Sequence, residues 1–258
     1  MEYQPLDEAS YARRFRELIA GTESLHTHAQ DVGDNRATIG WGYTFNRNDN
    51  EAIWRRSGID LTDAEWESLR AIDQATAGQR TALGLAFPRQ LNESEADQLL
   101  IASSPEYQRH ADALGMPDSR ERLALVSVTY NRGVGAVAGH PLLDAIGQDD
   151  RAQAWYQLRY NCWGSNATYE AGLRKRRLAE AQIFGLYNDP AQVTADEARG
   201  VFAMADQVLL SRDGQTLAGL HGAVMSEMHI PNGLLAQNDT TPMQAPGIHM
   251  PAPERRIA

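Results

Sequence analysis

Apolar residues recur at helical spacing near the start of the chain. Tyr11, Phe15, Leu18 and Ile19 fall near one face of the segment from Ser10 to Ile19, which predicts a helix closed by Gly21. The pattern then changes. Residues 24–50 are polar and rich in Gly, Asn and Asp, apart from one β-type run, Ala37-Thr38-Ile39-Gly40-Trp41-Gly42-Tyr43-Thr44-Phe45. In that run Ile39, Trp41, Tyr43 and Phe45 alternate with small residues, as on a strand with one covered face. Gly33-Asp34-Asn35 ahead of it supplies turn chemistry. The prediction is a small hairpin or three-stranded sheet.

Helix signals dominate after Asn50. Thr62 with Glu65, and Asn92 with Glu95, read as capping boxes ahead of the apolar sets Trp66, Leu69, Ile72 and Ala96, Leu99, Leu100. Asp118 with Glu121 is expected to open a further helix carrying Leu123, Val126, Ser127 and Tyr130 on one face, stopped by Gly133 and Gly135. Two more helices fit 149–159 and 168–185. After the break at Pro190, Thr194 with Glu197 predicts a last amphipathic helix through Leu210, clustering Val201, Ala205, Val208 and Leu209. From Ser211 the pattern weakens, and after Pro231 a Pro-, Met- and Gln-rich composition reads as extended or disordered. The expected architecture is α+β and mostly helical. A small β-region (about 24–49) follows the first helix and precedes a helical body, together forming a domain over 1–189, with an appendage over 190–258.

Charge and composition narrow the function classes. The 258 residues are 42% hydrophobic and carry a formal net charge of −10, from 34 acidic and 24 basic side chains, Lys175 being the single lysine. That balance disfavours nucleic acid, whose binders neutralise phosphates with basic residues, and disfavours adhesion to an anionic surface. One cysteine, Cys162, excludes an intramolecular disulfide and a cysteine-based zinc cluster. The start MEYQPLDEAS lacks a basic and apolar leader, and no run approaches the roughly 18 apolar residues of a membrane span. The expectation is a chain made in the cytoplasm without a signal peptide and not inserted in a membrane. His26 and His28 lack the partners of a zinc site, and neither Gly40-Trp41-Gly42 nor Gly133-Val134-Gly135 completes a phosphate- or dinucleotide-binding pattern. No metal or organic cofactor is expected.

The chemistry concentrates in 21–49. Glu23 follows the first helix directly, Asp31 and Asp34 sit in the turn before the strand, and Thr38 opens that strand. Glycosidic cleavage needs two carboxyl-type roles, one protonating the leaving oxygen and the other activating water or stabilising the cation. A glutamate at a helix end against apolar side chains can have its pKa raised, which suits a general acid. The bland alternative is a solvated Glu after a helix and Asp residues serving turns.

The segment resembles the active-site region of phage-type (T4-like) lysozymes, glycoside hydrolase family 24. The resemblance rests on Glu23, on Thr38 fifteen residues later, and on Thr38-Ile39-Gly40-Trp41-Gly42. It continues in Ser127-Val128-Thr129-Tyr130-Asn131-Arg132-Gly133, similar to the family helix ending in Tyr-Asn-x-Gly. It extends to Gly172-Leu173 with Arg176, Arg177 and Glu180, which are expected to form structural ion pairs. Trp163 occupies the place of a packing aromatic, Cys162 reads as a small buried residue, and Tyr130 reads as core. Phe45-Asn46-Arg47-Asn48-Asp49, Trp54 and Gly58-Ile59-Asp60-Leu61-Thr62 look similar to lysozyme-like domains of type VI secretion effectors.

What the resemblance implies is a lysozyme-like fold and a muramidase, cleaving the β-1,4 bond between N-acetylmuramic acid and N-acetylglucosamine with inversion. Glu23 is the implied general acid, and Thr38 helps hold the attacking water. The family's intervening Asp slot is Val32 here, so the second carboxylate is Asp31, one residue early, with Asp34 and then Asp49 as competitors. Tyr43 stands where the family often has His. Tyr43, Asn46 and Asn131 are the candidate saccharide contacts, in a cleft between the β-region and the helical body. Implied partners are peptidoglycan glycan strands, a secretion machine or holin that brings the chain to the periplasmic wall, and an immunity protein. The alternative is a lysozyme-like module that binds or delivers without cutting.

Overall fold

The computed structural model describes residues 1–162 and 170–211. Contacts divide the chain into two units, Pro5–Ala138 and a second made of Met1–Gln4 with Gly139 onward. Trp163 and the segment after Ser211 lie outside the described residues.

In the Pro5–Ala138 unit, helix α1 (Glu8–Thr22) opens at Asp7, whose carboxylate accepts the Ser10 N–H at 2.9 Å. It buries Tyr11, Phe15 and Ile19, runs through Gly21, and stops at Glu23, whose extended backbone still donates its N–H to the Ile19 carbonyl at 2.8 Å. The sheet that follows is an antiparallel meander of β1 (His26–Asp31), β2 (Ala37–Gly40) and β3 (Tyr43–Thr44). The predicted single run 37–45 is thus two strands. Gly40 and Gly42 adopt φ of 63° and 111°, values open to glycine, and reverse the chain at Trp41. All four β2 residues are buried, because α4 (Ala77–Leu85) and α5 (Glu93–Ser103) both pack on this central strand.

Around the sheet lie α2 (Asn50–Ser57), α3 (Asp63–Gln74), α6 (Pro105–Ala113), α7 (Arg120–Arg132) and α8 (Val134–Val137). Phe45, Trp54 and Phe87 pack ring on ring with centroids 5.1–6.2 Å apart. Both predicted capping boxes form, at Thr62/Glu65 and Asn92/Glu95. The start of α7 differs from expectation by one residue. Ser119, not Asp118, is the cap, its hydroxyl accepting the Arg122 N–H at 3.1 Å, while the Asp118 carbonyl is taken by the Leu6 N–H at 2.8 Å. Gly133, with φ of 86°, ends α7 as predicted.

Gly84 marks the tightest approach of α4 to the sheet. A Cβ there would sit 2.6 Å from the Ala37 Cβ and 2.9 Å from the Phe45 Cβ, atoms fixed to backbone rather than at the ends of flexible side chains. Gly84→Ala should therefore push α4 off β2 and destabilise the unit by about 2 kcal/mol, against the small gain alanine gives in an open helix. Equilibrium denaturation checks it; a stabilised variant would mean that α4 yields freely.

In the second unit, α9 (Pro141–Gly147), α10 (Arg151–Asn161), α11 (Glu170–Phe184) and α12 (Ala195–Ser211) are helical. Arg151 is buried and donates to the carbonyls of Phe184 and Gly185 at 2.9 and 3.0 Å. Arg176 and Arg177 ion-pair with buried Glu180, at 3.1 and 2.7 Å. Thr194 and Glu197 exchange the hydrogen bonds of a capping box ahead of α12, and α12 packs on α10. Cys162 is buried beside His140. Among the described residues no helix is long and apolar enough to cross a membrane.

Candidate active site

Glu23 is half-buried at the point where α1 gives way to β1. Its carboxyl faces the β2–β3 turn: a Cβ built on Gly42 would lie 3.9 Å from Glu23 Cδ and 3.4 Å from Tyr130 Oη. The glycine leaves that space open. Beside it, burial holds the His26 imidazole below its usual pKa, against the opposing pull of the Glu23 charge. Its Nδ1 lies 2.5 Å from Gln30 Nε2, the amide N–H donating.

Thr38 is 4% exposed, and its hydroxyl has no hydrogen-bond partner among the described residues. An unsatisfied buried hydroxyl costs about 1–3 kcal/mol. A native structure that keeps one invites a reason such as a bound water or a functional role.

The carboxylates differ in how firmly they are held. Asp31, the last residue of β1, folds over the following turn, and its Oδ1 accepts the N–H groups of Gly33, Asp34 and Asn35 at 2.8, 3.2 and 3.1 Å. Its other oxygen has no donor among the described residues. Asp34 takes one N–H, from Arg36 at 3.1 Å, with the Arg36 guanidinium at 3.9 Å. Asp49 is exposed and makes no side-chain bond to the helix it precedes. Register places Gln30 opposite Thr38 and Asp31 opposite Ala37, so Asp31 and Thr38 lie on adjacent rungs, which alternate between sheet faces. An irregularity between His26 and Gln30 absorbs the extra length of β1, and Val32 is exposed at the start of the turn.

The candidate saccharide contacts scatter. Tyr43 is 3% exposed, so it is a core residue and not a cleft contact. Its hydroxyl donates to Asn50 Oδ1 at 2.6 Å, its ring meets Phe45 and Trp54 edge-on, and burial pushes its pKa well above the usual phenol value. Alternation along 37–45 already implied an inward Tyr43. Asn46 is exposed, and its Oδ1 lies 3.3 Å from the Thr81 hydroxyl, whose single proton is shared with the Asn35 carbonyl at 3.0 Å, a contact that ties α4 to the turn. Asn131 is half-buried near the end of α7.

The residue that sequence reading assigned only to packing is Tyr130. It is half-buried, and its hydroxyl donates to the Trp41 carbonyl at 3.0 Å across 89 positions of chain. No local spacing carries that contact. Among the described residues no group of His, Cys, Asp and Glu side chains is arranged to hold a metal ion.

Comparison with known proteins bears on this geometry. A comparison with curated proteins gives no match. Among solved structures, the muramidase domain of SpmX from Asticaccaulis excentricus is similar at 20% identity and a TM-score of 0.45, over 67% of this chain and 95% of that one. The phage lysozyme family profile matches residues 20–180, a span that takes in Glu23, the whole sheet, α7 and the Arg176–Glu180 pair. With more than half of its length inside that match, the chain belongs to the phage lysozyme family.

Proposed function

We propose that this protein is a muramidase that hydrolyses the β-1,4 bond between N-acetylmuramic acid and N-acetylglucosamine in peptidoglycan. The observation that carries the reading is Glu23, set at the end of α1 with its carboxyl against the open space at Gly42. Glu23 acts as general acid and delivers its proton to the glycosidic oxygen as the bond breaks. Asp31, with one oxygen pinned by three N–H groups and the other without a donor among the described residues, stabilises the oxocarbenium-like centre or activates water. The Thr38 hydroxyl, buried and without a hydrogen-bond partner among the described residues, is suited to holding a water of its own, on the sheet face opposite Asp31. Asn131 and Asn46 remain the polar groups offered to the glycan. Supply of the chain to the periplasmic wall by a secretion system or a phage lysis machine, and an antibacterial role with an immunity protein in the producing cell, belong to the same reading.

A second reading has one observation in its favour: Val32 stands in the slot of the family's intervening Asp and is 45% exposed. A glycan-binding module that does not cut would tolerate that loss. Mass spectrometry of muropeptides after digestion separates the two. Muramic acid at the reducing ends is expected. Intact strands favour the binding module, and anhydro-muramic ends or released stem peptides would replace hydrolysis with a different reaction.

A further inference from the structure

The turn that faces Glu23 is gripped from two sides. On one, the Trp41 indole Nε1 donates to Asp97 Oδ1 at 2.8 Å, and the other Asp97 oxygen takes Arg16 Nη1 at 2.7 Å. Arg16 belongs to α1, the helix that ends at Glu23, so this grip refers the turn back to the acid's own helix. On the other side, the Tyr130 hydroxyl donates to the Trp41 carbonyl at 3.0 Å. Tyr130 rides on α7, in which Leu123 through Thr129 are all buried, and its ring meets that of Tyr107 at 4.7 Å. The hydroxyl is therefore presented from a firm support.

The two grips fix different things. Asp97 fixes the indole, but side-chain rotation about Trp41 leaves its peptide unit free. Flanked by glycines with φ of 63° and 111°, that unit has little stiffness of its own. Because the peptide is planar and trans, a hydrogen bond to the Trp41 carbonyl also fixes the direction of the Gly42 N–H. It thereby fixes the wall of the space next to the Glu23 carboxyl.

We propose that Tyr130 is a positioning residue for glycoside hydrolysis: its hydroxyl holds the Trp41–Gly42 peptide where the gap to Glu23 admits the scissile bond. This rests on the muramidase reading above. General acid catalysis depends on sub-ångström placement, and a displacement of about 1 Å can cost up to about 100-fold. Its effect is on the reacting geometry more than on glycan affinity.

Tyr130→Phe in the full chain keeps the ring against Tyr107 and removes only the hydroxyl. On soluble glycan-strand fragments, kcat should fall about tenfold with KM held within about twofold. Amide hydrogen exchange at Tyr43, which pairs with Ile39 across the turn, should quicken while protection along α7 is kept. An unchanged kcat, or unchanged exchange at Tyr43, overturns the proposal. So does a loss of kcat that comes with loss of protection throughout α7, which marks a packing role. A wild-type chain that cuts no glycan overturns the hydrolase reading and this proposal together; an active wild type with an unimpaired Tyr130→Phe overturns the role of the tyrosine alone.

Discussion

Glu23→Gln should reduce glycan hydrolysis by about 10²- to 10⁴-fold, the range over which a positioned general acid contributes. Glutamine keeps the shape of the side chain and much of its hydrogen-bonding reach, but it has no carboxyl proton to donate. The position is half-buried at a helix end, and the helix stop is made by the Glu23 backbone N–H, which the substitution leaves in place. Stability should accordingly move by no more than about 0.5 kcal/mol. Binding of glycan fragments should persist, so the loss should fall on kcat. A variant that clears purified peptidoglycan at the wild-type rate would remove Glu23 from the chemistry. The same assay ranks the carboxylates of the turn. Asp31→Asn is expected to cost far more than Asp34→Asn or Asp49→Asn, because only Asp31 is held by three backbone N–H groups. If Asp34→Asn proves the costlier, the second carboxylate lies nearer the tip of the turn than its hydrogen bonds suggest.

What could be read in the sequence was whatever local spacing determines. The apolar stripe of α1, the boxes at Thr62/Glu65 and Asn92/Glu95, and the Gly133 stop depend on residues within one or two helical turns of each other, and each is present. Glu23 and Thr38 stood out as candidates through a motif whose spacing is itself local. What escaped depends on partners far along the chain. Nothing near Trp41 announces that its carbonyl is met by Tyr130 or its indole by Asp97. The break between β2 and β3 was hidden because alternation continues through Trp41, while the two glycines that allow the reversal also look like the small residues of a strand. Tyr43 was misjudged for the opposite reason. The resemblance placed it at a family site position, while its own alternation with Ile39, Trp41 and Phe45 pointed inward, and the pattern was the better guide.

The largest stability loss should come from a residue outside any motif, Asp73. Helix α2 has Asp49 at its formal N-cap, yet the Asp49 side chain makes no capping bond. The cap comes instead from the last turn of α3. There the Asp73 carboxylate accepts the backbone N–H of Asn50 at 2.9 Å and of Glu51 at 2.9 Å, and the Asn50 side-chain amide at 2.7 Å. Asn50 is fully buried and is the hub of a network, with its Oδ1 accepting the Tyr43 hydroxyl and its amide reaching the Arg47 carbonyl at 3.0 Å. Asp73→Ala removes three charge-assisted bonds, takes a negative charge from the positive end of α2, and strands donors in a part-buried site. The cost should be about 3–4 kcal/mol, which for a chain of this size lowers Tm by roughly 6–16 °C. Asp49→Ala, at the formal N-cap position, should change stability by about 0.5 kcal/mol or less. Thermal denaturation of the two variants decides between a cap supplied from 23 residues away and one supplied by the neighbouring residue. Equal losses would refute the remote cap. The effect should also reach the sheet, because Tyr43 leads out of the Trp41–Gly42 turn: as Asn50 loosens, β3 loses the anchor of its first residue, and glycan hydrolysis should fall at temperatures below the unfolding transition.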